Sequence, residues 1–77
     1  MTGYIYLIRN KDLYKIGITK NIRKRVKVLK PDEVLKVLET KEYGELEKQL
    51  HKKFRSVRIP QTEYFRLSRQ QVAYCIK

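Results

Sequence analysis

Two short apolar segments, residues 4–8 and 13–18, lie near the start of the chain with only a few residues between them. Both are rich in aromatic and β-branched residues, a composition that favours strands. Asn10 and Asp12 lie between them, and their side chains can bond nearby backbone groups in a turn. Two strands joined by so short a turn pair as an antiparallel hairpin. We therefore expect a hairpin against which the other elements pack.

The pattern after the hairpin becomes helical over residues 22–30. Apolar residues at 22, 26 and 29 recur at the spacing of one helix face. Thr19 and Asn21 are both suitable N-caps. Pro31 ends the helix, because the residue before a proline disfavours helical geometry.

The second half of the chain predicts one more strand, two helices and a short extended segment. Residues 34–38 suit a strand by their β-branched content, although their leucines and lysine would also suit a helix. The resulting class is α+β, a small three-stranded antiparallel sheet flanked by helices in the order β-β-α-β-α-(short β)-α. The later elements are a helix over residues 42–54 that Thr40 could cap, a loop over 55–62, a short extended segment over 63–67, and a last helix that begins with a capping box of Ser68 and Gln71.

Charge and length limit what this chain can bind. Its 77 residues suit one domain, residues 1–77. It has 19 Lys and Arg against 8 Asp and Glu, which gives a net charge of +11. This excess excludes a binder of cationic ligands and favours a polyanion, nucleic acid first and an acidic membrane surface second. The 42% of apolar residues is enough for a folded core.

Other sequence features point to a soluble cytoplasmic protein. Cys75 is the only cysteine, so no internal disulfide can form. No apolar run approaches the ~20 residues of a membrane span. The first residues lack the basic segment of a signal peptide. We expect a location in the cytoplasm, or in the host cytoplasm if the chain is viral, and no membrane partner.

Several residues of these elements could carry chemistry. Alternation puts Tyr4 and Tyr6 on one strand face. Arg25 lies beside the apolar face of its helix, and Glu47 lies four residues before His51, so these two side chains are neighbours. Each has an ordinary explanation as well: tyrosines in strands mostly pack, an arginine beside an apolar stripe is usually solvated, and a Glu–His pair usually lies on the surface.

The order of these residues resembles the GIY-YIG nuclease superfamily. Residues 4–6 match its first motif, with Tyr4 where the family usually has Gly, and residues 14–17 match its second. The chain looks most like the small branch that writes this motif as K-I-G, known from phage proteins and a meiotically up-regulated protein. That branch continues with Gly-x-Thr and an Arg six residues later, then Glu-x3-His-x2-Phe and Glu-aromatic-Phe. These are residues 17–19, Arg25, residues 47–54 and residues 63–65.

The resemblance implies metal-dependent hydrolysis of DNA phosphodiester bonds. Tyr6 would act as the base, and we expect Lys15 on the adjacent strand to lower its pKa by favouring the phenolate. Arg25 would hold the charge that gathers on the phosphate. Glu47 would bind Mg²⁺ or Mn²⁺, for which one carboxylate can suffice. His51 would bond the scissile phosphate or a water on the metal.

The chain departs from the family pattern at two places. Many relatives carry a His or Tyr one turn after the Arg, where this chain has Leu29. Relatives also often carry a late Asn, and here none follows Asn21. Glu63 could stand in for it or be structural, and Tyr4 and Tyr14 are further candidates for the site.

The remaining basic residues suit a grip on DNA. Two clusters of them would bind phosphates with little sequence preference. The alternative function is a nucleic-acid-binding module with weak or no catalysis on the same fold, and a third is a dimeric interaction protein. A homodimer is compatible with each of these. The DNA-binding candidates are Arg23, Lys24, Lys27, Lys30, Lys52 and Lys53.

Overall fold

The computed structural model describes residues 2–76. The single domain expected over residues 1–77 stays a prediction, and its two end residues, Met1 and Lys77, lie outside the described range. The elements are β1 (Gly3–Asn10), β2 (Leu13–Thr19), α1 (Ile22–Leu29), β3 (Glu33–Thr40), α2 (Tyr43–Lys53), a 3-10 turn (Arg55–Val57), β4 (Tyr64–Phe65) and α3 (Arg69–Ile76).

The strands form one antiparallel sheet in the order β3-β1-β2-β4. The expected α+β class and the order of elements are confirmed. The short extended segment joins the sheet as a fourth strand, because Tyr64 pairs with Lys15 and Phe65 pairs with Tyr14. The ambiguous segment after Pro31 is a strand, β3, and it pairs with the other side of β1.

The turn of the first hairpin is held from outside the hairpin. Lys11 adopts the left-handed conformation with φ of 56°. Its backbone N–H donates to Asp32 Oδ2 at 2.6 Å. The backbone N–H of Asp32 in turn donates to the carbonyl oxygen of Arg9 at 2.8 Å and to Asn10 Oδ1 at 3.1 Å. The segment that follows α1 is therefore fastened to the first hairpin.

The helix starts follow the expected capping chemistry in two of three cases. Asn21 caps α1, since its Oδ1 accepts from the backbone N–H of Lys24 at 3.1 Å. Ser68 and Gln71 form the reciprocal capping box, with bonds of 2.9 and 3.2 Å. At α2 the N-cap is Glu42, which makes no side-chain cap bond. Thr40 instead accepts from the Glu42 backbone N–H before the helix begins.

The core is built on β1, which is buried along residues 5–8. The register places Ile5 and Leu7 on one sheet face with Ile16, and Tyr6 on the other face opposite Gly17. The apolar stripe of α2 packs against the Ile5–Leu7 cluster, as its spacing predicts. Helix α1 contributes no fully buried residue. The stripe of α2 consists of Tyr43, Leu46, Leu50 and Phe54.

No helix within residues 2–76 is long and apolar enough to cross a membrane.

Two glycines give a matched test of this packing. Alanine at Gly17 would place a Cβ 2.6 Å from Cζ of the buried Tyr6, so we expect the free energy of unfolding to fall by about 1–3 kcal/mol, as in overpacked cores. Alanine at Gly44 in α2 meets nothing within 4 Å and gains helix propensity, which should raise stability by about 0.5–1 kcal/mol. Urea unfolding of both variants measures the difference, and equal effects would contradict this packing.

Candidate active site

The phenol ring of Tyr6 lies across Gly17 of the neighbouring strand. The two residues pair directly in the register, and a Cβ at Gly17 would overlap the Tyr6 hydroxyl oxygen. Tyr6 is only 2% exposed. Gly17 has no side chain, and this leaves room for the Tyr6 phenol. The glycine of the second motif is therefore explained by its contact with the tyrosine of the first motif.

Burial raises the pKa of the Tyr6 phenol above its ordinary value of 10.0. The positive charge of Arg25 works against this rise, whereas the carboxylates of Glu63 and Glu47 and the phenol of Tyr64 add to it. Arg25, Glu47 and Glu63 come from three separate segments of the chain. All three lie within electrostatic range of the Tyr6 phenol.

The structure does not support the expectation that Lys15 lowers the pKa of Tyr6. Lys15 lies diagonally across the hairpin from Tyr6, since it pairs with Ile8, so the two side chains do share a face. However, its ammonium forms an ion pair with Glu63, with Nζ 3.0 Å from Oε2. The pKa of Tyr6 is raised by burial, and the cation that opposes this is Arg25.

Glu47 is an acid held in an unfavourable environment. Its side chain is 18% exposed, and its Oε2 is buried without a hydrogen-bond partner among the described residues. Burial raises the pKa of the Glu47 carboxyl above 4.5, and Glu63 adds to the rise, while His51 and Lys15 oppose it. His51 Nε2 lies 4.0 Å from Glu47 Oε2, which is beyond hydrogen-bond reach.

His51 is anchored to the sheet and does not lie free on the helix surface. Its Nε2 is 2.9 Å from the carbonyl oxygen of Ile16. A carbonyl only accepts, so Nε2 carries the proton and donates it. The imidazole also packs edge-on against Phe65 at 4.9 Å between centroids. These contacts fix the end of α2 beside β2 and so hold Glu47 near Tyr6.

Glu63 and Tyr64 both lie against Lys15 and influence the pKa of Tyr6, although the sequence did not single out Tyr64. The Lys15 ammonium lies 5.2 Å from the Tyr64 ring centroid. The Tyr64 hydroxyl accepts from Asn10 Nδ2 at 3.2 Å. The only sequence signal for Tyr64 was its place after Glu63 in the last motif. Its position depends on the pairing of β4 with β2, which no local pattern shows.

The two further tyrosine candidates are separated by the sheet. Tyr14 pairs with Phe65 and packs against the apolar core, so the structure does not bring it to Tyr6. Tyr4 lies on the same sheet face as Tyr6, two residues before it on β1, and pairs with Thr19 of β2. Alternation along the strands therefore assigns Tyr14 to packing and leaves Tyr4 at the margin of the site.

The expected DNA-binding residues all lie on the surface. Helix α1 carries three of them, Lys30 is its C-cap, and α2 carries the other two. The site residues Arg25 and Glu47 lie on the same two helices. The Lys53 ammonium also lies 4.5 Å from the centroid of the Tyr74 ring, so it makes a cation–π contact with α3. The exposed residues are Arg23, Lys24, Lys27, Lys30, Lys52 and Lys53.

Glu47 could hold a divalent metal ion. An orphaned, buried carboxylate oxygen is the kind of group that a cation would satisfy. Within residues 2–76 no group of three or more His, Cys, Asp or Glu converges on one point. A single carboxylate suits Mg²⁺, which keeps most of its waters, and does not suit the closed ligand sets of structural zinc.

These features define a small basic α+β domain in which ionisable side chains from several elements influence the buried phenol of Tyr6. The T5orf172 domain family matches residues 3–77. The chain therefore belongs to the T5orf172 domain family, which is nuclease-related. No curated protein and no solved structure matches it significantly.

Removing the charge of Glu47 should stabilise the fold at neutral pH. The folded state raises the pKa of this carboxyl, so Glu47 is stabilising only below its ordinary value of 4.5 and becomes unfavourable as pH rises through its folded pKa. We expect Glu47→Gln to unfold at higher urea than wild type at neutral pH, with the gain vanishing in acid. Glu45→Gln, an exposed neighbour on α2, is the control. A loss of stability in Glu47→Gln at neutral pH would contradict the assigned environment.

Proposed function

We propose that this protein is a metal-dependent endonuclease of the GIY-YIG type that hydrolyses DNA phosphodiester bonds with low sequence specificity. The observation that carries the proposal is the convergence of Arg25 and Glu47 on the buried phenol of Tyr6. A phenol can act as the base, a permanent cation can hold the phosphate, and a carboxylate can bind a metal ion in phosphodiester hydrolysis. The ordered motifs and the nuclease-related family support the same assignment.

Tyr6 is the proposed general base. It takes a proton from the water that attacks phosphorus, as the P–O bond to the leaving oxygen breaks. Because burial raises its pKa, the phenolate is scarce at neutral pH but strongly basic once formed. Arg25 favours that phenolate, so the two groups act together.

Arg25 has a second proposed task at the phosphate. Its guanidinium lies on exposed α1, where a DNA strand can reach it. The planar, permanently charged fork can hold two non-bridging oxygens as negative charge gathers on them. An ammonium group would not give the same bidentate contact.

Glu47 is the proposed ligand of Mg²⁺ or Mn²⁺. When bound, the ion would supply positive charge that neutralises the phosphate and stabilises the departing oxygen. Glu47 suits this task because its Oε2 has no hydrogen-bond partner within residues 2–76 and burial disfavours its charged form. His51 is a positioning residue, since its bond to the Ile16 carbonyl holds the helix that carries Glu47.

The Lys15–Glu63 pair places one more cation beside the site. Lys15 is 14% exposed and is held in place by Glu63 and Tyr64. A phosphate that enters the site can attract Lys15 away from Glu63, so the pair can contribute to substrate binding. Glu63 takes this place where relatives often have a late Asn.

The exposed basic residues of α1 and α2 provide the proposed grip on DNA. Contacts from lysine and arginine to phosphates carry no base information. The described elements contain no helix-turn-helix or other groove-reading motif, so selection among sequences would be weak. The substrate is therefore proposed as DNA of broad sequence.

One observation favours a second function, a nucleic-acid-binding module with weak or no catalysis. The raised pKa of Tyr6 leaves it mostly protonated near neutral pH, which makes it a slow base. The basic surface would still bind DNA without the chemistry. The two functions differ in whether the plasmid is cut.

Plasmid nicking with matched variants tests catalysis. Supercoiled DNA is incubated with Mg²⁺ or Mn²⁺ and with chelator. We expect nicking only with metal, a loss of about a hundredfold or more in Arg25→Ala, and comparable losses in Tyr6→Phe and Glu47→Gln. Glu45→Gln on the same helix should cut like wild type.

The outcomes separate the two functions. Binding of DNA without metal-dependent nicking in wild type would support the module. Nicking that survives in chelator, or in Glu47→Gln, would contradict the assigned metal ligand. Circular dichroism of each variant shows whether it is folded.

The salt dependence of DNA binding tests the grip. In chelator, where DNA is not expected to be cut, the logarithm of the binding constant should fall linearly with that of the salt concentration. Lys24→Gln and Lys27→Gln should each reduce the slope by about 0.9. Lys41→Gln, an exposed lysine before α2, should leave it unchanged. Fluorescence anisotropy measures the slopes, and equal effects at all three positions would contradict the assigned surface.

A further inference from the structure

Strand β3 leaves one side of the sheet open. It is the end strand of the order β3-β1-β2-β4, and within residues 2–76 its backbone ladder runs to β1 alone. It is eight residues long, and Val34, Val37 and Leu38 on it are exposed. A long edge strand with exposed apolar residues is a ready template for pairing with another strand.

The charge around this edge differs from the rest of the chain. Residues 32–45 hold five of the eight acidic residues but only two of the nineteen basic ones. DNA would be repelled here, so the edge does not belong to the grip. Two copies of a protein with a charge of +11 repel each other wherever their basic surfaces meet. The β3 edge has few basic side chains, so two copies can approach there without bringing their basic surfaces together.

We propose that two copies of this chain pair antiparallel through β3, around a two-fold axis at Val37. Such an axis runs perpendicular to the sheet and keeps each residue on its own face. An axis at Lys36 would set two ammonium groups against each other, and one at Leu38 would set Val37 against Glu39 of the second copy. With the axis at Val37, the two valines meet, and Leu38 meets the aliphatic stem of Lys36 on either side.

The pairing would place two candidate active sites on one face. Tyr6 pairs with Val37 and shares its face, and the rotation preserves faces. The two Tyr6 residues would then lie about 14 Å apart, three strand spacings of ~4.8 Å, in one continuous sheet. This consequence rests on the proposed nuclease function, because two sites on one face can act on both strands of a duplex. The pairing itself does not rest on it.

Sedimentation equilibrium over a wide range of protein concentration tests the pairing. We expect wild type to pass from monomer to dimer, because an edge contact is small and reversible. Val37→Lys places two ammonium groups at the axis and should remain monomeric. Val28→Lys is the matched control, because it makes the same substitution at an exposed valine of α1. This variant should dimerise like wild type. A wild type that is monomeric throughout, or a Val37→Lys variant that dimerises equally, would overturn the proposal.

Cross-linking tests the register without relying on a disruptive change. In a Cys75→Ser background, Val37→Cys should oxidise to a disulfide-linked dimer, since only a residue at the axis faces its own copy. Lys36→Cys and Thr40→Cys should cross-link much more slowly. Equal cross-linking at all three positions would contradict the register. Neither measurement depends on DNA cleavage, so a dimer without nicking would count against the nuclease function alone.

Discussion

The contact between the Tyr6 ring and Gly17 fixes the point around which the other functional groups gather. Strand β1 lies between β2 and β3, so the phenol cannot move without disturbing both neighbours. Successive residues of β1 serve different purposes: Ile5 and Leu7 build the apolar core, and Tyr6 between them supplies the phenol on the opposite face. The groups that come from α1 and α2 therefore meet a rigid partner.

Burial makes the charged forms of Tyr6 and Glu47 unfavourable at the same place. Glu47 also raises the pKa of Tyr6, and Glu63 raises the pKa of both groups. Lys15 forms an ion pair with Glu63, so its charge offsets only part of the rise in the pKa of Glu47. A carboxylate that is buried without a partner lowers the free energy of unfolding. Such a loss of stability is common where a site serves a function. A cation beside these carboxyls would relieve the cost of their charged forms.

Local chemistry was readable from the sequence, and distant pairing was not. The hairpin, the Asn21 cap and the Ser68–Gln71 capping box depend on residues a few positions apart, and all are confirmed. The Lys15–Glu63 pair joins residues almost fifty positions apart through the two-residue strand β4, whose partner no pattern of alternation reveals. For the same reason the sequence predicts that Lys15 acts on the pKa of Tyr6 and gives no role to Tyr64.

Helix α1 is fastened at both ends but contributes nothing fully buried. Asn21 holds its start, and Asp32 ties the segment after it to the hairpin turn. The exposed side chains of this helix other than Arg25 can accordingly change without repacking a core. The protein thus joins a hairpin that tolerates little variation to a helix whose outer surface can vary while the phenol stays where it is.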